Sequence, residues 1–166
     1  ALKEFNDGKI DILLGTQMLS KGHDYHNVEL AVIMGFDELL NFPDFRARER
    51  TLALAMQVAG RAGRNGAGRV IIQSKQREFF ESYISDYDAF LKEEISYREG
   101  LYPPFTRLLR VVVSHKDEST AKGAMNEFVQ RLEPLKSDEL EIVGYGKCQA
   151  EYLVGKFRYE ILLRSN

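Results

Sequence analysis

Residues 29–36 read Glu29-Leu30-Ala31-Val32-Ile33-Met34-Gly35-Phe36, ELAVIMGF. An apolar run of this length, broken by glycine near its end, predicts a buried strand. Two similar runs flank it: Ile10 to Gly15 (IDILLG) and Arg69 to Ser74 (RVIIQS). A short helix is expected from Thr16 to Gly22, after the first run. A longer one is expected from Asp44 to Gly63, between the second and third, with Asp44 as its N-cap. Strand, helix and strand alternate, which predicts an α/β fold with a parallel sheet and helical crossovers. Ala1 to Asn6 reads as the end of a helix, stopped near Gly8. A chain cut from a longer one is therefore expected.

Beyond Ser74 the pattern changes. Gln76 to Glu99 is helical in character and acidic, with seven carboxylates against three cations. Tyr102-Pro103-Pro104-Phe105 ends any helix and favours extended backbone. Arg107 to His115, Glu141 to Cys148 and Phe157 to Arg164 then predict strands. Glu118 to Leu135 predicts an amphipathic helix that stops near Pro134. Strand, helix, strand, strand opens a split βαβ unit whose closing helix and strand are lacking. The expected organisation is 1–75, an α/β lobe; 76–105, a helical connector; and 106–166, a smaller α+β domain, truncated like the lobe.

The composition is that of a soluble globular protein: 44% hydrophobic, 29% charged, net charge −2. Nucleic-acid binding gains no support from that overall charge, so charge position has to carry the case. Cys148 is the sole cysteine, which excludes an internal disulfide and a cysteine-based zinc cluster. It fits a reducing, cytoplasmic compartment. No apolar run reaches the roughly 18 residues of a spanning helix, so no membrane is expected.

Charge is concentrated around Gln57-Val58-Ala59-Gly60-Arg61-Ala62-Gly63-Arg64, QVAGRAGR. Glycine costs about 1 kcal/mol relative to alanine inside a helix, and this segment carries two. Gln57, Arg61 and Arg64 are spaced to share one helix face. Besides Val58, the residues between them are Ala59, Gly60, Ala62 and Gly63, which leave a bare ridge bearing two guanidinium groups. Guanidinium pairs with phosphate in a bidentate fork and stays charged at any working pH. Such groups stabilise charge on a transferring phosphoryl group, worth roughly 10³-fold or more in rate. From Phe45 to Arg69 there are six arginines, one glutamate and no lysine. The plainer reading is a solvated surface helix that Asn65 and Gly66 bring to an end.

The stretch GTQMLSKGHDY, Gly15 to Tyr25, follows the first apolar run. In parallel sheets ligands bind in the loops after strand C-termini. Thr16 and Gln17 can donate to a phosphate oxygen, Lys21 adds a point charge, and Gly22 allows close approach. Asp24 can accept from a ribose hydroxyl or orient an arginine. His23 and His26 have too few nearby carboxylates for a metal site, and none is assigned. The plainer reading is an ordinary polar loop.

Together the two stretches resemble motifs V and VI of the second RecA-like lobe of superfamily-two helicases. The longer string from Gly15 to Arg64 resembles the replication-restart primosomal helicases in particular, as do LYPPF, the VGYG strand and the closing ILL strand. The resemblance implies a partial RecA-like lobe followed by a domain of ribosomal-protein-S10-like fold. It implies an ATP-driven 3′-to-5′ DNA helicase acting in primosome assembly. Arg61 and Arg64 would face the γ-phosphate of ATP, with Gln57 lining the same cleft. Gly22 and Asp24 would lie at the nucleotide edge, and Thr16, Gln17 and Lys21 would touch DNA or couple it to the nucleotide. ATP and magnesium would be held by a first lobe, and zinc by cysteines upstream. Neither the phosphate loop nor the metal-binding box occurs in this chain. Forked or single-stranded DNA, the single-stranded-DNA-binding protein and primosome proteins would be partners. The chain alone would bind no cofactor and hydrolyse no ATP. Two other readings stay open: a different superfamily-two DNA translocase, and a RecA-like binding module without catalysis.

Overall fold

The computed structural model of the chain describes residues 1–16, 19, 28–62 and 68–165. They form two compact units, Ala1–Lys92 and Glu93–Asn166. In chain order the elements are α1 (Leu2–Asn6), β1 (Leu30–Ile33), α2 (Phe36–Leu40), α3 (Ala47–Ala59), β2 (Arg69–Ile72), α4 (Arg77–Tyr83) and α5 (Tyr87–Arg98). After these come β3 (Arg107–His115), α6 (Glu118–Leu132), β4 (Leu140–Leu153) and β5 (Lys156–Ser165). Among the described residues no helix is long and apolar enough to cross a membrane.

In the first unit β1 and β2 pair in parallel, Val32 opposite Ile71 and Ile33 opposite Ile72. Side chains alternate between the two faces of a strand. Ile33, Val70 and Ile72 therefore point one way, onto Phe36, Leu40, Ala55 and Phe80. Leu30, Val32 and Ile71 point the other way and are about half exposed. ELAVIMGF is thus a half-buried strand and not the fully buried one expected. Gly35, at φ 75°, turns the chain straight into α2, a helix absent from the sequence reading. The Asp37 carboxylate accepts from the Ser74 hydroxyl and from the Lys75 amide at 2.9 Å, tying α2 to the end of β2. The same bonds, the Ser74 hydroxyl first, hold its pKa below the usual carboxylate value.

Ile10 to Gly15 is not a strand. Ile12 and Leu14 are 86% and 91% exposed, and the run pairs with neither β1 nor β2. Apolar composition makes a strand only where a neighbouring edge takes up the backbone N–H and C=O groups. The helix expected from Asp44 to Gly63 is α3, shorter at both ends. Asp44 accepts from the Arg46 amide and from the Arg50 guanidinium, both at 2.9 Å, in a turn ahead of the first helical residue. The expected helix from Thr16 to Gly22 lies mostly outside the described residues.

The second unit is a three-stranded antiparallel sheet in the order β3-β5-β4. This is the spatial order of a split βαβ, with the last strand between the other two. Ala121, Met125 and Val129 recur every four residues along α6 and pack on Tyr159, Ile161 and Leu163 of β5. Burying a side chain such as Ile161 contributes about 1.5–3 kcal/mol. Asp117 caps α6, accepting from the Thr120 amide at 2.8 Å and from the Ser119 and Thr120 hydroxyls. Those bonds lower its pKa to about 2. At the far end of the sheet, β4 and β5 are joined by Val154 and Gly155, both at positive φ, 51° and 73°.

Candidate phosphate and nucleic-acid interface

Gln57 stands in the last turn of α3, and Arg61 just past its end. The helix stops at Ala59 because Gly60 follows, the residue that gains least from helical continuation. The chain tightens there: the Gly60 amide still reaches Met56 O at 2.9 Å, but the Arg61 and Ala62 amides bond only three residues back, at 3.0 and 3.2 Å. The single continuous helix face expected for Gln57 and Arg61 is therefore not formed. Gln57 is presented by the helix and Arg61 by the turn that follows, and both are half-buried. The α3 carbonyls at that end carry partial negative charge, which favours a cation at Arg61. Arg64 lies outside the described residues.

A cavity of about 470 Å³ opens beside Gln57. Its floor is the α3 stripe of Arg50, Thr51, Leu54 and Gln57, and its walls include Leu39 and Phe42. The Thr51 hydroxyl is shut away from water without a hydrogen-bond partner. Sequence reading missed this cavity, although residues 47, 50, 54 and 57 repeat at helical spacing. The arginine cluster of α3 also divides in a way its count did not foretell. Arg46 lies over the Phe45 ring at 4.8 Å, and Arg48 over Phe79 and Phe90 at 5.3 and 5.8 Å. Arg50 pairs with Asp44 at 2.9 Å. Three of the six arginines thus serve aromatic or carboxylate neighbours within this unit. Phe79, Phe80, Tyr83 and Phe90 form edge-to-face contacts with one another, and Phe80 and Phe90 are buried. They are core residues and not stacking platforms.

Of the loop residues read as phosphate or DNA contacts, Thr16 is described, and it is exposed. Gln17, Lys21, Gly22 and Asp24 lie outside the described residues. Among the described residues no group of three His, Cys, Asp or Glu could hold a metal ion. The donors of Arg61 and Gln57 suit a polyphosphate: the guanidinium offers a charged planar fork and the amide a neutral donor. The guanidinium, which has no oxygen, cannot ligate magnesium.

In the second unit the basic side chains are unequally committed. Lys147 reaches Glu118 at 2.9 Å and Glu151 at 3.0 Å, which raises its pKa, and Tyr159 donates to the same Glu118 at 3.1 Å. Arg110 bonds Glu160 at 2.6 Å, and Arg164 takes Glu141 and the Leu101 carbonyl. Burial pushes the Cys148 thiol upward, so it is not a ready nucleophile.

Residues 1–66 match the helicase conserved C-terminal domain family, and residues 98–166 match the primosomal protein N C-terminal domain family. The chain is similar to the replication restart protein PriA of several bacteria. Identity is 40% with the protein of Helicobacter pylori strain J99, over 99% of this chain and 26% of the relative. It is 35% with that of Bacillus subtilis, over 98% of this chain and 21% of the relative. With that of Chlamydia trachomatis it is 44%, over 99% of this chain and 22% of the relative. The chain thus spans about a quarter of the length of the curated relatives it matches. With one domain family matched in each unit and restart proteins aligned along almost every residue, the chain belongs to the PriA replication restart family.

Proposed function

We propose that this chain is the part of an ATP-driven 3′-to-5′ DNA helicase that carries the arginine side of a split nucleotide site. The observation behind this reading is the end of α3. A neutral amide and a guanidinium are held one turn apart on backbone that small residues leave bare, in a chain of the PriA family. In this reading Arg61 and Arg64 face the γ-phosphate and Gln57 orients beside them. When bound, ATP with magnesium supplies the phosphoryl bond whose cleavage drives the motor. Thr16, Gln17 and Lys21 touch the DNA backbone, and Gly22 and Asp24 border the nucleotide. Gly60 and Ala62 keep bulk away from the approaching phosphate, and the two charges meet it without titrating. Zinc is assigned to cysteines of the longer protein and not to this chain. DNA, the single-stranded-DNA-binding protein and primosome proteins are the proposed partners, in the cytoplasm. The boundaries 1–75, 76–105 and 106–166 are kept as the proposed division of labour among lobe, connector and C-terminal domain.

The test is ATP turnover by the full-length protein. Arg61→Ala and Arg64→Ala should each lower kcat roughly 10³-fold, as expected for an arginine finger, with DNA affinity close to wild type. Near-normal turnover in either variant removes that arginine from the role. The 166-residue chain by itself should hydrolyse no ATP, and steady turnover by a pure sample would overturn the half-site reading.

A further inference from the structure

The hairpin between β4 and β5 is built against two ordinary preferences at once. Leu153 and Lys156 close a two-residue turn made by Val154 and Gly155. A turn with both central residues at positive φ takes asparagine, aspartate or glycine first, because a β-branched side chain crowds the backbone there. Val154 occupies that position and is 89% exposed, so the chain gains almost no packing from it. Tyr152 and Leu153 beside it are exposed too, at 58% and 51%.

The surroundings indicate what would meet this tip. Tyr152 and Phe157 lie edge to face behind the turn, ring centroids 4.9 Å apart. Lys156 and Arg158 flank them, and residues 152–158 contain no carboxylate. Glu151, the residue before, is taken by Lys147. An apolar point, an exposed aromatic ring and uncompensated cations are the parts that open a base step while gripping the phosphates beside it. An acidic peptide would engage the cations and leave the strained valine without a purpose.

We propose that the Val154 turn is a wedge for branched DNA. Val154 enters where duplex meets single strand, Tyr152 offers its ring to the unstacked base, and Lys156 and Arg158 hold the flanking phosphates. The proposal rests on the DNA-motor reading above.

The experiment measures binding of the 166-residue chain to three labelled DNAs of matched sequence: a fork, a blunt duplex and a single strand. Val154→Asn gives the turn its preferred residue. It should raise the melting temperature by roughly 4–8 °C. It should also weaken fork binding roughly tenfold, with blunt-duplex binding unchanged. Lys156→Ala and Arg158→Ala should weaken all three DNAs, each lowering the slope of log affinity against log salt by about 1. Unchanged fork affinity in Val154→Asn overturns the wedge. So does equal loss on fork and blunt duplex, no binding to any of the three, or lost fork binding with a lower melting temperature. The underlying reading fails separately, if the full-length protein shows no DNA-stimulated ATP turnover.

Discussion

Gly60 shows how one residue can be chosen against stability. Its φ of −68° is open to any L-residue, and a Cβ placed there would meet nothing nearer than Met56 O at 3.4 Å, an ordinary contact. Gly60→Ala should therefore stabilise the chain by about 0.4–1 kcal/mol, read from urea unfolding. In the full-length protein the same change should slow ATP turnover, because a methyl group then stands on the ridge between Gln57 and Arg61. Gain of stability without loss of turnover would make Gly60 a simple helix terminator. The contrast with Val154 is useful: there the strain, about 1–3 kcal/mol for such a backbone, comes from having a side chain. That Gln57 and Arg61 lie near one another along the chain was legible from sequence, but the single helix face expected of them was not realised, because the helix stops at Ala59, between them. The parts played by Arg46, Arg48 and Arg50 were not legible, since Phe79 and Phe90 reach Arg48 from more than thirty residues away.

Among the elements, α6 carries a cap whose contribution depends on pH. Asp117 has a folded pKa of about 2, below its usual 3.8, through bonds from Ser119 and Thr120. A lowered folded pKa contributes stability above the unfolded value and loses it as pH falls from about 4 toward about 2. Asp117→Ala should lower the melting temperature by several degrees at pH 7, and the gap from wild type should close as pH approaches 2. A gap that stays constant with pH would separate the cap from the carboxylate's charge. Glu118, lowered by Lys147 first and Tyr159 second, acts in the same direction. The split βαβ of β3, α6, β4 and β5 was readable because alternating and four-residue periods are local. The absence of a strand at Ile10 to Gly15 was not readable, because an apolar run does not record whether an edge lies beside it. Asp44 likewise read as a cap from its type, yet it serves the turn before α3.

In the molecule as a whole, each unit has its own buried cluster, around Phe36 and Phe80 in one and around Met125 and Ile161 in the other. Among the described residues, the second unit hydrogen-bonds its central strand β5 on both sides, whereas the first has a two-stranded sheet with one face about half exposed. Hydrogen exchange should therefore be slowest in β5 and distinctly faster in β1 and β2. Equal protection would contradict that ranking. Ile161→Ala should destabilise the second unit by about 2–5 kcal/mol, measured by chemical denaturation. Leu30, Val32 and Ile71 lie on the half-exposed face of a parallel pair, a kind of sheet that proteins normally cover on both sides. In the test tube that oily strip has a practical side. The purified chain should light up a hydrophobic dye without any denaturant, clump sooner in sulfate-rich buffers, and stay monodisperse longest in a trace of mild detergent.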